Sequence, residues 1–183
     1  MLRHADPARD GAACAAIYAP SVTDGVASFE TEAPSAGEMA RRIERSSRTH
    51  PWLICERDGE VAGYAYGCAH RERAAYRWAG EVSVYVDSRR HRGGVGRELY
   101  AALLALLDLQ GLWTVCAGIT LPNAPSVALH EAMGFQPVGV YRAIGYKFGA
   151  WHDVGWWQLR LPGAGGEPAE PRGPQQLDQL PRA

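Results

Sequence analysis

"SRRHRGGVGREL", Ser88 to Leu99, sets four arginines and three glycines at the mouth of an apolar helix. Clustered like charges repel, and each glycine loses extra conformational entropy on folding, so local stability explains neither feature. An anion explains both. The first N–H groups of a helix have no partners inside it, and the helix dipole together with Arg89, Arg90, Arg92 and Arg97 favours negative charge there. Gly93, Gly94 and Gly96 remove the Cβ atoms that would hold a ligand off the backbone. The stretch therefore reads as a phosphate cradle between a strand and a helix.

Working outward, Glu81 to Val86 alternates strictly, with Val82, Val84 and Val86 on one face and Glu81, Ser83 and Tyr85 on the other, the pattern of a half-buried strand. On the other side Val95, Leu99, Leu103, Leu106 and Leu107 recur at helical spacing until Gly111. "LWTVCAGI" follows as a buried strand, "PSVALHEAMGF" as a short helix closed by Gly134, and the chain to Leu161 as further strands. Upstream, a strand at Leu2 to His4 precedes Asp6-Pro7, a helix start, and an apolar helix reaching about Tyr18. Ser35 and Glu38 form a capping box for a helix from Ala36 to about Ser47. "WLICE" and "VAGYAYG" flank Asp58-Gly59, a hairpin signal. The order predicts an α/β (α+β) fold: a mixed, mostly antiparallel central sheet flanked by helices, with a strand-loop-helix-strand unit at its centre.

The chain has 183 residues, enough for one domain with a real core, taken as residues 1–161. Its formal net charge of −1 excludes a strong non-specific attraction to nucleic acid or anionic lipid, so anion recognition must be local. Cys14, Cys55, Cys68 and Cys116 are scattered in apolar stretches and read as reduced core thiols. The six histidines show no ligand-like spacing, so no metal site is expected. No basic-then-apolar leader and no membrane-length apolar run occur, and the expected compartment is the cytoplasm. From Pro162 to Ala183 the composition turns proline- and glycine-rich, and a disordered tail is expected.

The cradle contains no G-x-x-x-x-G-K-[ST] and no G-x-G-x-x-G, which argues against P-loop and dinucleotide sites. Its spacing resembles the R/Q-x-x-G-x-G/A pyrophosphate loop of GNAT superfamily N-acetyltransferases, with His91 where that pattern has Gln or Arg. "LPNAPSVALHEAMGF" resembles the GNAT segment after the fifth strand, with His130 in the place many members give to Tyr. Together with "EVSVYV" and "GAWHDVGWWQL", it resembles the phosphinothricin and methionine sulfoximine acetyltransferase subgroup over nearly all of Leu2 to Leu161.

That resemblance implies the GNAT acyl-CoA N-acyltransferase fold and acetyl-CoA as co-substrate. It implies that backbone at Val84, Tyr85 and Val86 pairs with the pantetheine arm, that Arg92, Gly93, Gly94, Val95, Gly96 and Arg97 hold the pyrophosphate, and that Asn123 touches the cofactor. Asn123 reads equally as a helix cap. It further implies a homodimer and a small amino-acid acceptor, with Arg73 and Tyr76 binding its acidic group and Phe29 closing the pocket.

The chemistry needs two titratable groups, because an ammonium must lose a proton before it attacks a thioester and the departing thiolate gains from receiving one. Glu81, on the strand face opposite the valines, is the candidate general base through a water. His130 is the second candidate, as proton relay or as acid to the thiolate. On residue type alone, a Glu at a strand start is an ordinary solvated end residue and a lone His in a short helix is structural. Three other readings compete: a GNAT enzyme for another amine, such as an aminoglycoside or a protein N-terminus; a coenzyme A binding module without catalysis; and nucleic-acid binding by the arginine patch, which a short patch on a near-neutral chain disfavours.

Overall fold

The computed structural model describes residues 1–174. Among these residues seven strands and four α-helices follow in the order β1 (Leu2–His4), α1 (Pro7–Thr23), α2 (Ala36–Ser47), β2 (Trp52–Arg57), β3 (Glu60–Ala69), β4 (Ala79–Val86), α3 (Val95–Gln110), β5 (Thr114–Leu121), α4 (Ala124–Ala132), β6 (Gln136–Lys147) and β7 (Ala150–Arg160). One sheet takes the order β1-β2-β3-β4-β5-β7-β6. Every neighbouring pair is antiparallel except β4 with β5.

Local chemistry accounts for most of these elements. Asp6 accepts from Ala8 N and Arg9 N ahead of Pro7, and Ser35 accepts from Glu38 N, so both N-caps form, while the Glu38 carboxylate that would complete the capping box meets Arg41 and Arg42 instead. Asp58 and Gly59 take φ 53° and 80°, the left-handed pair that a two-residue hairpin needs. α1 runs past Tyr18 to Thr23 with Pro20 inside it, because the ring removes only one N–H and Asp24 N closes the end on Pro20 O.

The sheet divides two apolar clusters. α3 covers one face, where Leu99, Leu103, Leu106 and Leu107 are fully buried and Val82, Val84 and Val86 pack against them. α1 and α2 cover the other, with Cys14, Ile43, Trp52 and Tyr64 at its centre and Tyr85 against it. The strict alternation read from β4 is thus the alternation between these two clusters.

Expected as disordered, residues 162–174 instead follow a defined course along the domain. Gly163 N donates to Asp108 Oδ1, the Trp78 indole donates to Ala169 O, Arg77 pairs with Glu170, and Arg172 N donates to Gln110 O. A segment without large apolar side chains is held here mainly by its backbone groups. Residues 175–183 of that expected tail lie outside the described residues. Among the described residues no helix is long and apolar enough to cross a membrane.

Candidate active site

β4 and β5 pair only from Ala79↔Thr114 to Glu81↔Cys116 and then separate. The gap is a cleft of about 220 Å³ bounded by β4 residues 82–86, β5 residues 118–120 and the amino end of α4. Asp87 N donates to Ala62 O, and His70 N donates to Ala79 O, so odd-numbered residues of β4 turn their backbone groups toward β3. Alternation therefore turns the N–H and C=O of Val84 and Val86 toward the cleft. This corrects the expectation for Tyr85: it lines the cleft, but its backbone faces β3.

Beyond β4 the chain makes a 3-10 turn at Ser88–Arg90 and enters α3 through Gly94, left-handed at φ 78°, with no side chain capping the helix. Glu98 N is the first amide bonded within α3, to Gly94 O. The N–H groups of Val95, Gly96 and Arg97 stand ahead of it without helical acceptors. A Cβ on Gly96 would lie 3.3 Å from Leu129 Cδ2 and 3.6 Å from Val86 Cγ2, so glycine keeps α3 close against the cleft wall.

The arginines divide. Arg89 pairs with Asp87, and Arg90 with Asp58, so their charge is locally answered, whereas Arg92 and Arg97 form no ion pair among the described residues. His91 turns its Nε2–H onto Val86 O at 3.2 Å, at the cleft's outer end. An open strand edge leading to a turn of unpartnered N–H groups fits a ligand with an amide-bearing arm and a diphosphate.

His130 lies at the inner wall of the cleft, 4 % exposed. Its Nδ1 is 2.7 Å from Ser126 O, an acceptor only, so Nδ1 carries the proton and Nε2 accepts the Tyr100 hydroxyl at 2.8 Å. Burial holds its pKa below the usual imidazole value, against the raising effect of the Ser126 carbonyl. It is a neutral ring with both nitrogens engaged. Asn123 caps α4 through Ser126 N and also lines the cleft.

Glu81 is not in the cleft wall. It is the last residue of β4 paired with β5, on the face opposite the valines, while His130 belongs to the α3 side. The two candidates thus lie on opposite faces of the sheet, and the cleft lining includes His130 but not Glu81. The Glu81 carboxylate meets His70 Nδ1 at 2.9 Å and Arg71 Nη1 at 3.4 Å. Cys68 and Cys116 flank it in register; burial pushes the Cys68 thiol up to about 11 and also raises Cys116, so neither is a thiolate near neutrality.

Arg73 and Tyr76 share a second cavity of about 540 Å³ with His70 and Arg71. Phe29 does not join them. It packs on Gly145, where a Cβ would stand 2.1 Å from its ring, in a loop anchored by Lys147 Nζ on Val22 O, Gly25 O and Ser28 O. The sequence reading missed His70, Tyr100 and Trp156. Tyr100 was hidden in the apolar stripe of α3. His70 carries no local signal, since only the β3–β4 register brings it to Glu81. Among the described residues no group of three or more His, Cys, Asp or Glu could hold a metal ion.

Residues 7–156 match the family model described as the acetyltransferase (GNAT) domain. A phosphinothricin N-acetyltransferase of Streptomyces viridochromogenes is 42% identical over 173 residues, covering 94% of this chain and 92% of its own. The L-methionine sulfoximine/L-methionine sulfone acetyltransferase of Pseudomonas paraeruginosa is 35% identical, covering 80% of this chain and 86% of its own. A crystal structure of a GNAT superfamily phosphinothricin acetyltransferase from Sinorhizobium meliloti in complex with AcCoA superposes with a TM-score of 0.88 at 35% identity, covering 100% of this chain and 98% of that one. With a family model spanning most of its length and the sheet split at the same place as its open helix turn, the chain belongs to the GNAT acetyltransferase family.

Proposed function

We propose that this protein is an acetyl-CoA-dependent N-acetyltransferase acting on the α-amino group of a small amino acid or analogue with a tetrahedral head, of the phosphinothricin, methionine sulfoximine or methionine sulfone type. The observation that carries this reading is the divergence of β4 from β5 beside the uncapped amino end of α3. Acetyl-CoA brings an acyl group activated as a thioester. Val84 offers its backbone to the pantetheine amides, and the N–H groups of Val95, Gly96 and Arg97, with Arg92 and Arg97 side chains, offer positive charge to the diphosphate.

The amine enters from the face that carries Glu81. Glu81 takes the ammonium proton, directly or through a water, which frees the nitrogen lone pair to attack. Tyr100 and His130 stand at the cleft's inner wall on the opposite side, where the leaving sulfur is released; the Tyr100 O–H is engaged on His130 Nε2 and the His130 Nδ1–H on Ser126 O, so the thiolate takes its proton from water. Arg73 and Tyr76 bind the acceptor's acidic group, a guanidinium being suited to grip a carboxylate or phosphinate through two N–H groups. The names of the relatives support this choice of acceptor.

Residues 1–161 form the catalytic unit of this proposal. A second copy of the chain would cover the exposed aromatic face of β6 and β7, where Tyr146, Phe148 and Trp151 are each more than 60% exposed. Four free cysteines suit the reducing cytoplasm, where we place the protein. The test is release of free thiol from acetyl-CoA against phosphinothricin, methionine sulfone, methionine sulfoximine and plain methionine. Turnover of the tetrahedral analogues is expected; acetyl-CoA binding without turnover of any of them would refute the assignment of acceptor.

A further inference from the structure

Glu81 is held by a residue that no local pattern announces. His70 follows the end of β3 and sets its Nδ1 2.9 Å from Glu81 Oε1. A carboxylate accepts only, so Nδ1 carries the proton. Arg71 approaches the same oxygen, and among the described residues no hydrogen bond reaches Oε2. The imidazole is itself fixed, with Tyr76 and Trp156 edge-on to it at centroid distances of 5.8 Å and 6.1 Å. Trp156 in turn lies 3.4 Å from the Cβ position of Gly118 in the cleft wall. His70 thus stands between the Arg73 and Tyr76 cavity and Glu81, one indole away from the cleft.

We infer that His70 is the positioning residue for Glu81. It ties down Oε1 and leaves Oε2 as the oxygen that receives the amine proton. An unrestrained glutamate samples several rotamers, and a displacement of about 1 Å in a reacting group costs on the order of a hundredfold in rate. In the step itself an N–H bond of the ammonium breaks, its electron pair stays on nitrogen for attack, and an O–H bond forms at Oε2 or through one water. His70 keeps its own proton throughout. The inference rests on the acetyl-transfer reading with Glu81 as base.

The test compares wild type, His70→Phe, His70→Asn, Glu81→Gln and the His70→Phe/Glu81→Gln pair by thiol release, with kcat and KM measured for both substrates. Phe keeps an aromatic ring and deletes the donor, whereas Asn keeps an N–H near the place of Nδ1. His70→Phe is expected to lower kcat about 10- to 100-fold with the KM for acetyl-CoA within about twofold, and His70→Asn to restore most of the loss. In the Glu81→Gln background the same change should cost less than about twofold, because its target has gone. Should the phenyl ring fail to fold against Trp156, His70→Gln, whose amide reaches the Nε2 side, makes the same deletion. Wild-type kcat in His70→Phe, no rescue by Asn, or an equal loss with and without Glu81 would overturn the role of His70. A wild type that releases no thiol with any amine, or an unimpaired Glu81→Gln, would overturn the acetyl-transfer reading or its base, and this inference with it.

Discussion

His130 shows how far a single residue type can be read. Its place in "LPNAPSVALHEAMGF" marked it as a member of the site, and it does line the cleft. Its state was not legible, because Tyr100 and Ser126 are brought to its two nitrogens by α3 packing and by the start of its own helix. A pH dependence follows. The folded protein holds His130 below the ordinary imidazole value of 6.5, chiefly through burial, so below about pH 6.5 the unfolded chain binds a proton that the folded one refuses. Stability contributed by the neutral ring is complete above that value and falls as the pH drops. The melting temperature is expected to decline between pH 7.5 and 5.5, and His130→Gln should flatten that slope. His50, also lowered by burial, keeps part of the slope in the variant. An unchanged slope in the variant would count against the neutral, buried ring.

Among the elements, the turn into α3 was the most legible. Glycines and arginines before an apolar repeat predict an open helix start, and the start is open. What the repeat could not reveal is that Arg89 and Arg90 are taken up by Asp87 and Asp58, since Asp58 arrives from a different hairpin. Nor does β4 announce that its partner leaves it after Glu81, because the length of a parallel pairing is set by non-local packing. Gly96→Val is the sharp test of this turn. Larger atoms at 3.3 Å from Leu129 must push α3 away from the cleft wall or crowd the N–H groups beside it. The KM for acetyl-CoA should rise at least about tenfold, corresponding to roughly 1.4 kcal/mol, with the KM for the amine little changed. Equal increases in both would locate the damage in the fold rather than in the cradle.

Across the whole molecule, composition did not foretell the course of residues 162–174. Proline and glycine without large apolar side chains look like solvated chain, yet what fastens residues 162–174 is mainly backbone: Gly163 N to Asp108, Ala169 O to the Trp78 indole, Arg172 N to Gln110 O. Such bonds contribute about 0.5–1.5 kcal/mol each, and a chain of this size shifts by about 2–4 °C per kcal/mol. Truncation after Leu161 is therefore expected to lower the melting temperature by roughly 5–10 °C in calorimetry while leaving both KM values nearly unchanged. The exposed ring face of β6 and β7 belongs to the same scale. Trp151, 64% exposed, is a surface residue whose replacement leaves the core intact, so Trp151→Glu should convert a dimer to a monomer in sedimentation without loss of folding. A wild type that already sediments as a monomer would show that this face serves another end.

The separation of the β4 edge from the turn ahead of α3 also bears on which molecules the protein ignores. Abundant adenine nucleotides share a diphosphate with coenzyme A but have no peptide-like arm. On the proposed reading they would satisfy the turn and leave the edge bare, and so would receive only part of the grip offered to the full thioester. Discrimination against such counterfeits would then rest on two separate pieces of main chain, with no side chain needed to inspect the sulfur.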